Sequence, residues 1–375
     1  DRGTLLTEVV VAATKRFDLN LSELHNDSTS IRFCGQYSAG GGDEKKKKKG
    51  KQGKTIRGKQ APWITHGYSK DHRPDLKQLL FILTTSRDGG VPVQFRCEDG
   101  NTNDSATHLE TWEALARVTG SPDFLYVADS KLCGTETMTS IARRRGRFLT
   151  VLPRSRREDK EFREWIHTND PNWELVRDRP NPRRKNASRD RWYAHLHPLP
   201  SKEGWPVIWL WSTLLEMHTA KRRRERLAKA AEQLAELDKR LCGPRTRLRS
   251  IYKIQERVNE ILRNNRVVRY LDVEPWQEEQ EHYRQEHRGR AGPKTRYKRE
   301  VKMRWRIRWK VDEEVIAYDQ KSDGMYPILT NDRSLSLAQV LEVHKRQPVI
   351  EKRFEQFKSI HEIAPVMLKN EGRIE

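Results

Sequence analysis

The sequence predicts an α/β protein in which a mixed sheet, flanked by helices, is interrupted by an insertion domain of β-strands and a helical hairpin. Three observations predict this fold class. Strand-like and helix-like segments alternate through residues 1–155, as expected of a sheet covered by helices. Residues 156–322 change character, with tryptophan-rich, strand-like pieces ahead of two amphipathic helices. Residues 323–375 contain a further helical pattern and are expected to complete the first part.

The first part has the order of three strands, a helix, a strand, a helix and a strand. Ile31 and Phe33 alternate with polar residues in the first strand, and Arg87-Asp-Gly-Gly90 is a hairpin turn sequence between the second and third. The predicted segments are strands at 29–37, 79–85, 91–97, 124–128 and 148–152, and helices at 108–118 and 138–145.

Residues 38–65 are predicted to be a flexible, lysine-rich insert in the first part. Its glycines and the run of lysines at 45–49 cannot pack into a core. Two interpretations of the lysine run stay open, a solvated loop and an arm that binds phosphate.

A spacing near the C-terminal end is the most informative feature of the chain. At about 100° per residue on a helix, Gln347, Glu351 and Lys358 share one face with His344, because they lie 3, 7 and 14 positions after it. The ordinary alternative is an amphipathic helix packed on a core. Pro348 conflicts with a single straight helix, because a proline inside a helix removes a backbone hydrogen bond and kinks it. If Pro348 instead begins a new helix, Glu351 and Lys358 stay on one face, whereas His344 and Gln347 swing away.

Two aspartates upstream add to this pattern. Asp27 lies in a polar turn that leads into the first strand, and Asp129 closes the short apolar fourth strand. Either residue alone is more typical of a turn or a helix cap. With Glu351 they form two strand-associated aspartates and a helical glutamate, a set that can hold two divalent cations about 3.5–4 Å apart for phosphodiester chemistry.

Four sequence phrases occur in the order known from one family of enzymes. With these phrases and its C-terminal spacing, the chain resembles the DDE transposases of bacterial insertion sequences, in the branch with the signature Y-x-x-R-x-x-x-E-x-x-x-x-x-x-K. It departs from this signature at His344, where tyrosine is usual, and at Gln347, where arginine is usual. The phrases are Asp27-Ser-Thr-Ser, His66-Gly-Tyr-Ser-Lys-Asp-His-Arg-Pro-Asp-Leu-Lys77, Gly100-Asn-Thr-Asn-Asp104 and Val127-Ala-Asp-Ser130.

The resemblance implies an RNase H-like catalytic domain formed by residues 1–155 and 323–375. Its first strand would lie beside the fourth, so that Asp27 and Asp129 face one metal pair. These aspartates and Glu351 would bind two Mg²⁺ ions, for which Mn²⁺ substitutes. The implied activity is a DNA transposase that hydrolyses phosphodiester bonds and transfers strands at insertion-sequence ends. The implied partners are double-stranded DNA and a second copy of the chain in a synaptic homodimer, in a bacterial cytoplasm near the nucleoid.

The resemblance also implies residues that position DNA. Lys358 would contact a phosphate near the scissile bond, and the first half of the signature would position the backbone. Mixed basic and aromatic residues ahead of the second strand are suited to holding phosphate oxygens. The candidate DNA-binding residues are therefore Lys358, His344, Gln347, His66, Tyr68, Lys70 and Arg73.

Residues 156–322 are predicted to be the insertion domain, because Glu351 lies 222 positions (351 − 129) beyond Asp129. Unstructured loops of that length are uncommon in compact domains. Six of the 11 tryptophans lie between Trp165 and Trp211, where a role in the core is favoured over stacking on bases. Apolar residues at helical spacing on both sides of Gly243-Pro244 predict a helical hairpin at about 214–264.

The composition favours an anionic polymer as partner. The 74 Lys and Arg residues exceed the 53 Asp and Glu residues, for a formal charge of +21. A basic, solvated surface without a partner is the alternative. The four cysteines lie far apart, which indicates neither a zinc site nor a disulfide framework. The longest apolar stretch, 205–217, is too short to span a bilayer.

Two other functions stay open. A structure-selective nuclease on the same fold would use the same carboxylates without strand transfer. A catalytically dead or truncated transposon remnant would bind DNA and gain nothing from Mg²⁺. The chain begins with Asp1 and ends at Glu375, whereas the family continues at both ends. We therefore expect that parts are missing, including an N-terminal DNA-binding domain.

Overall fold

The computed structural model describes residues 2–35, 55–56, 59–60, 62–181, 189–243, 246 and 248–367. The chain forms two compact units. Unit 1 contains Asp1–Phe162, Pro171–Leu210 and Tyr326–Glu375, and unit 2 contains Arg163–Asp170 and Trp211–Met325.

Strands and helices alternate along much of the chain. The strands are β1 (Glu23–Phe33), β2 (Thr55–Ile56), β3 (Lys59–Gln60), β4 (Lys77–Ser86), β5 (Pro92–Glu98), β6 (Leu125–Ala128), β7 (Arg147–Val151), β8 (Glu174–Pro180), β9 (Arg189–Leu196), β10 (Val207–Ser212), β11 (Leu271–Gln285), β12 (Tyr297–Val311) and β13 (Met325–Thr330). The α-helices are α1 (Arg2–Phe17), α2 (Asp104–Thr119), α3 (Thr135–Arg143), α4 (Arg157–Trp165), α5 (Thr213–Cys242), α6 (Ile251–Asn264), α7 (Glu313–Gln320), α8 (Leu337–Arg346) and α9 (Pro348–Glu355). A 3₁₀ turn covers Ser130–Leu132 and a π-helical turn covers Gln356–Ile360.

A large mixed sheet flanked by helices dominates the fold. Its nine strands have the order β5-β4-β1-β6-β7-β13-β10-β9-β8. The central strand β1 is antiparallel to β4 and parallel to β6, and β6 is in turn parallel to β7. The predicted α/β class is confirmed at this level, and the predicted order of the first five long strands and their two intervening helices is confirmed as well.

Helices cover both faces of the sheet around β6. Successive side chains of a strand point to opposite faces. Leu125 and Val127 belong to a buried cluster with Val340 and Leu341 of α8. Tyr126 lies between these two residues in the strand and points to the other face. There its hydroxyl oxygen lies 3.0 Å from Nδ1 of His108 on α2, at hydrogen-bond distance. The sheet is therefore covered on both faces at β6.

The first strand begins earlier than the sequence predicts. We expected a polar turn at 24–28, yet β1 already starts at Glu23, so Asp27 lies within the strand. The polar side chains are accommodated because neighbouring strands supply partners. Asn26 Nδ2 donates to the carbonyl oxygen of Leu83 (3.2 Å) and to Thr84 Oγ1 (2.9 Å) on β4.

The division into units differs from the predicted boundaries of 156–322 for the insertion domain. Residues 171–210 belong to unit 1. Strands β8, β9 and β10 extend the large sheet, because Trp192, Ala194 and Ile208 join the same buried cluster as α8. Two tryptophans of this region lie in the core: Trp192 is 2% exposed, and Trp209 is fully buried with its ring stacked on Phe162 at 3.8 Å.

Unit 2 contains the predicted helical hairpin and a long two-stranded ribbon. Leu234 and Leu237 of α5 share a buried cluster with Val258 of α6 and Ile307 of β12. Asn265, just after α6, donates a 2.6 Å hydrogen bond to Gln233 in the middle of α5, so α6 runs back along α5. The 214–264 hairpin is thus present, with helices at Thr213–Cys242 and Ile251–Asn264.

Most of the lysine-rich insert at 38–65 lies outside the described residues. The described part contains the paired two-residue strands β2 and β3 and the stretch from 62 to 65, which joins β4 through a bridge between Thr65 and Gln78. No helix within the described residues has the length and apolar character needed to cross a membrane.

An ion-pair cluster in unit 1 gives the stability of the protein a pH dependence. Arg156 donates to both carboxylate oxygens of Glu203 (3.0 and 2.8 Å) and to Glu158 (2.6 Å). Burial raises the pKa of Glu203, but the hydrogen bonds from Arg156 and Thr135 outweigh it and lower the pKa to about 2. The ionised carboxylate therefore stabilises the folded state.

We expect the free energy of unfolding to decrease as the pH falls from about 4.5 to about 2, because a carboxylate with a lowered folded pKa contributes fully above its unfolded pKa. The contribution is on the order of 2–3 kcal/mol. Urea unfolding at a series of pH values measures this effect. The free energy of unfolding should depend less steeply on pH in Glu203→Gln than in the wild type. Glu161→Gln, which alters an exposed pair with Arg157, is the control. Equal pH profiles for all three proteins would contradict the assignment.

Candidate functional site

The register of two parallel strands brings Asp27 and Asp129 together. In the pairing of β1 with β6, His25 lies opposite Val127. Continued by two residues beyond the end of β6, this register would bring Asp27 level with Asp129, the N-cap of the 3₁₀ turn that follows the strand. Because alternate residues share a face, both carboxylates lie on the face that Val127 presents to α8.

Asp129 is held at the end of β6 by the turn that follows it. Its side chain caps the 3₁₀ turn by accepting a 3.0 Å hydrogen bond from the backbone N–H of Lys131. Its own carbonyl oxygen accepts a 2.6 Å hydrogen bond from Thr150 on β7. Burial raises the pKa of Asp129, and the negative charge of Asp104 adds to this effect.

Asp27 is coupled electrostatically to both other predicted carboxylates. The pKa of Asp27 is raised to about 6, chiefly by burial and in addition by the negative charges of Asp129 and Glu351. Lys70 and a 2.7 Å hydrogen bond from the Ser28 N–H oppose this shift. The shift indicates that all three carboxylates lie in one electrostatic environment.

Glu351 is carried to this environment by α9. Pro348 occupies the first turn of the helix, so of the two alternatives for this proline the structure has the start of a new helix. Ile350 and Phe354 pack on Ile31 of β1 and its neighbours, and Arg353 donates to the carbonyl oxygens of Gly90 (3.0 Å) and Gly89 in the β4–β5 turn. Ile31 lies four residues beyond Asp27, on the same face of β1, so α9 covers the face from which Asp27 projects.

Lys70 is the cation of the site. Its ammonium donates to the carbonyl oxygen of Ser28 (2.6 Å) and to Ser28 Oγ (2.9 Å), and it pairs with Asp104 (2.9 Å). It lies 4.0 Å from Asp27 Oδ1. An ammonium has three donors, and these three contacts use them all. Lys70 therefore fixes the site and does not present a donor to a phosphate.

Asp104 is a fourth acidic group that our sequence reasoning did not select. It is the first residue of α2, and its side chain is 16% exposed. The phrase from Gly100 to Asp104 could have pointed to this residue, because it and the phrase that contains Lys70 are two of the four on which the resemblance rests. Nothing in the spacing indicated that the two residues form an ion pair.

Two glycines hold the Lys70 segment against β4. A Cβ atom on Gly67 would lie 1.9 Å from the carbonyl oxygen of Gly100, and a Cβ on Gly100 would lie 2.0 Å from that of Gln78. Gln78 Nε2 donates to the carbonyl oxygens of Gly100 (2.8 Å) and Tyr68 (3.1 Å). Only glycine permits this approach, which brings the segments of Lys70 and Asp104 together.

The structure commits Lys358 to a partner within the protein. Its ammonium donates to both carboxylate oxygens of Asp71 (3.0 Å each), and Asp71 also pairs with Arg32 (3.2 Å). Lys358 follows α9 in the π-helical turn. In this structure the Lys358 ammonium therefore contacts Asp71, at the position where the resemblance implies a DNA phosphate.

Gln347 and His344, also expected to bind DNA, make internal contacts. Gln347 Nε2 donates to the carbonyl oxygen of Asn26 (2.9 Å), and Gln347 Oε1 lies 2.9 Å from His25 Nδ1. The ring of His344 packs on Tyr326 at 5.3 Å, and burial lowers its pKa to about 4. The two signature positions that differ from the family therefore tie α8 to the sheet.

A buried hydrogen-bond network also attaches α8 to β1. Glu23 accepts hydrogen bonds from Arg346 (2.8 and 2.9 Å) and lies 2.8 Å from His25 Nε2. Burial raises the pKa of Glu23, but His25 and Arg346 outweigh it and the pKa is lowered. The junction of α8 and α9 is thus fixed to β1 within a few residues of Asp27.

The other predicted DNA contacts lie at the surface. His66 and Arg73 are exposed, and Tyr68 is 87% exposed. Arg73 donates to both oxygens of Asp75 (2.8 and 2.7 Å). Of this group, only Lys70 reaches the carboxylates.

A second basic cluster in unit 1 escaped the sequence analysis. Arg177, Arg179 and Lys345 surround the ring of Trp192, with charged groups 5.7, 5.0 and 5.0 Å from its centroid. Burial and the charges of Arg179 and Arg177 lower the pKa of Lys345. Among the described residues, none of the three cations has a carboxylate within ion-pair distance. Arg177 and Arg179 alternate on one strand, but no sequence signal connects them with Lys345.

The donor set suits a hard cation in kind, since Asp27, Asp129 and Glu351 offer only carboxylate oxygens. The three carboxylates lie farther apart than the ligands of one metal ion would. Within the described part of the chain, no three His, Cys, Asp or Glu side chains are grouped closely enough to hold a metal ion. The carboxylates are therefore electrostatic neighbours, with the Lys70 ammonium beside them.

Comparison with known proteins adds no identification. The chain matches no family model and no curated protein. The function must be inferred from the geometry and from the sequence motifs.

We expect Gly100→Ala to lower the free energy of unfolding by about 1–3 kcal/mol, because the new Cβ forces backbone atoms apart. Gly134→Ala is the matched control, since its Cβ would meet only Thr137 Oγ1 at 3.8 Å. Denaturant unfolding measures both variants. Equal stability of the two would show that the segments of Lys70 and Asp104 are not closely packed.

Proposed function

We propose that the chain is a DDE-type DNA transposase, which hydrolyses a phosphodiester bond at an insertion-sequence end and joins the freed 3′-hydroxyl to target DNA. One observation carries the proposal. Asp27 lies in β1 and Asp129 directly follows the adjacent parallel strand β6, and the charge of Glu351, on a helix that packs on the same face of β1, acts on Asp27. Three carboxylates of this kind match the acidic set of the family that the sequence motifs resemble.

The arrangement of the sheet supports an RNase H-like assignment for unit 1. The first strand lies centrally, beside the fourth of the long strands, which is β6. Asp27 and Asp129 project from these two strands, 102 residues (129 − 27) apart in sequence. The insertion between Asp129 and Glu351 then consists of β8–β10, which extend the sheet, followed by unit 2.

Asp27, Asp129 and Glu351 would hold two Mg²⁺ ions, or Mn²⁺ in their place. When bound, such a pair activates the attacking oxygen and neutralises the leaving oxygen. The protein itself contributes positioning. The N–H of Ser28 and that of Lys131 orient the two aspartates, Arg353 and Gln347 fix the approach of α9, and Lys70 balances the negative charge.

Duplex DNA is the partner that the charge of the chain favours. The formal charge of +21 provides non-specific attraction to phosphates. In unit 1 the Arg177, Arg179 and Lys345 cluster supplies unneutralised cations beside an aromatic ring. A synaptic homodimer and a bacterial, nucleoid-associated location in the cytoplasm belong to the same proposal.

A DNA-binding remnant without catalysis is the second candidate. It is favoured by the exposed position of Glu351, by the commitment of Lys358 to Asp71 and by the lack of a close metal-ligand group among the described residues. Such a protein would bind DNA without gaining activity from a divalent cation.

We expect Glu351→Gln to reduce Mn²⁺-dependent cleavage of DNA carrying the element's ends by more than about 100-fold, since losing only a hydrogen-bond partner of a metal ligand already costs about 10–100-fold. DNA binding should stay within about twofold of the wild type, as one charge on a highly basic protein changes phosphate neutralisation little. Glu355→Gln is the control, because Glu355 is exposed on the same helix. Gel assays of cleaved and joined products provide the measurement.

Equal cleavage by the wild type and Glu351→Gln would contradict the assignment of the third carboxylate. A wild-type protein that binds DNA but cleaves nothing with Mn²⁺ would favour the remnant. Cleavage without joined products would favour a nuclease on the same fold.

A further inference from the structure

Strands β11 and β12 of unit 2 form a long, isolated ribbon. They pair in antiparallel register from Leu271 opposite Val311 to Gln285 opposite Tyr297, and the pair is a sheet of only two strands. Fifteen residues per strand extend about 50 Å at about 3.4 Å per residue. Isolated two-stranded ribbons are marginally stable in water, so this one needs support at its base.

The base of the ribbon is anchored to the helical hairpin. Ile307 and Leu271 are buried in the cluster formed with α5 and α6. Asp238 of α5 accepts hydrogen bonds from the backbone N–H of Ile307 (2.8 Å) and from Arg306 Nε (3.0 Å) and Nη2 (2.9 Å). The far half of the ribbon therefore projects from a fixed base.

The charges of the ribbon are balanced at the base and unbalanced at the tip. Near the base, Arg308 pairs with Glu274 (2.6 Å) and Arg306 with Glu278 (2.8 Å). Residues 284–298 contain a single acidic residue, Glu286, for a net charge of +5 (6 − 1) without histidines. Each tip cation is exposed, and within the described residues none has an ion-pair partner. The six tip cations are Arg284, Arg288, Arg290, Lys294, Arg296 and Lys298.

Exposed apolar side chains line the face of the ribbon that continues down to the core residue Ile307. Tyr283 (57% exposed), Met303 (50%), Tyr297 and Val301 lie on this face, because even numbers of residues separate them from Ile307 or from its cross-strand partner Pro275. Arg284 and Lys298, which pair with each other across the ribbon, lie on the other face. The end of the ribbon therefore offers charge on one face and apolar contact on the other.

We infer that the tip of the β11–β12 ribbon is a DNA-binding arm that enters a groove of duplex DNA. A major groove about 12 Å wide admits a two-stranded ribbon, and unpaired cations on both strands match the phosphates on either side of a groove. The inference rests on the proposed function for its class of partner, but it does not depend on the catalytic carboxylates.

The test compares two variants of the full chain that each lose four positive charges. The tip variant carries Arg288→Gln, Arg290→Gln, Lys294→Gln and Arg296→Gln. The control carries Arg222→Gln, Arg224→Gln, Arg226→Gln and Lys229→Gln, all exposed positions on α5. Thermal unfolding must show that both variants fold like the wild type.

Fluorescence anisotropy with a random-sequence duplex gives affinity as a function of salt. The plot of log affinity against log salt has a slope of about −0.9 per neutralised phosphate. We expect the tip variant to lose about two to four units of slope and at least tenfold in affinity at a fixed salt concentration, and the control to lose less than one unit.

A photo-crosslinking amino acid in place of Ala291 at the tip gives a second readout. We expect it to crosslink to the duplex, and vesicles of phosphatidylserine should not displace the DNA from it. Equal slopes in both variants, or crosslinking to the vesicles alone, would contradict the inference that the tip of the ribbon is a DNA-binding arm. Failure of the proposed function is a separate result, because a wild-type protein without cleavage would still show the difference between the two slopes.

Discussion

The parallel pairing of β1 with β6 is the constraint on which the candidate site depends. It brings the part of β1 that contains Asp27 beside the end of β6, which Asp129 follows, although the two residues are distant in sequence. The helices then add the third carboxylate. Arg346, Glu23, His25 and Gln347 fasten the end of α8 to β1, and the apolar face of α9 packs beside Asp27. A register slip of one residue would turn Asp27 to the opposite face of the sheet, away from Asp129 and Glu351.

Electrostatic cost explains why the carboxylates need the groups around them. Burial disfavours the ionised forms of Asp27 and Asp129 and raises the pKa of both, and nearby negative charges add to this effect, those of Asp129 and Glu351 at Asp27 and that of Asp104 at Asp129. Lys70 offsets part of this cost, with its three donors directed to Ser28 and Asp104. Gly67 and Gly100 allow the chain to bring this ammonium close. The motifs at 66–77 and 100–104 therefore serve one purpose, the support of the acidic site.

Sequence patterns predict those parts of the fold that rest on local signals. Apolar alternation, the Gly89-Gly90 turn and Pro348 predict strands, a hairpin and a helix start that the structure contains. The early start of β1 was missed because its polar residues find partners only across the sheet. The same limitation applies to Lys358, whose partner Asp71 lies 287 positions away. The sequence analysis did not predict β11 and β12, and the charge asymmetry of their ribbon emerges only once the two strands pair.

The central claim is that Asp27, Asp129 and Glu351 share a divalent cation. Fe²⁺ bound in place of Mg²⁺, with ascorbate and peroxide, cleaves the polypeptide next to the metal, so mass spectrometry of the fragments locates the site directly. We expect cuts around residues 27, 129 and 351 in the wild type, suppression by excess Mg²⁺, and their loss in Asp27→Asn. Cuts elsewhere in the chain, or cuts at these positions that persist in Asp27→Asn, would contradict a shared metal site.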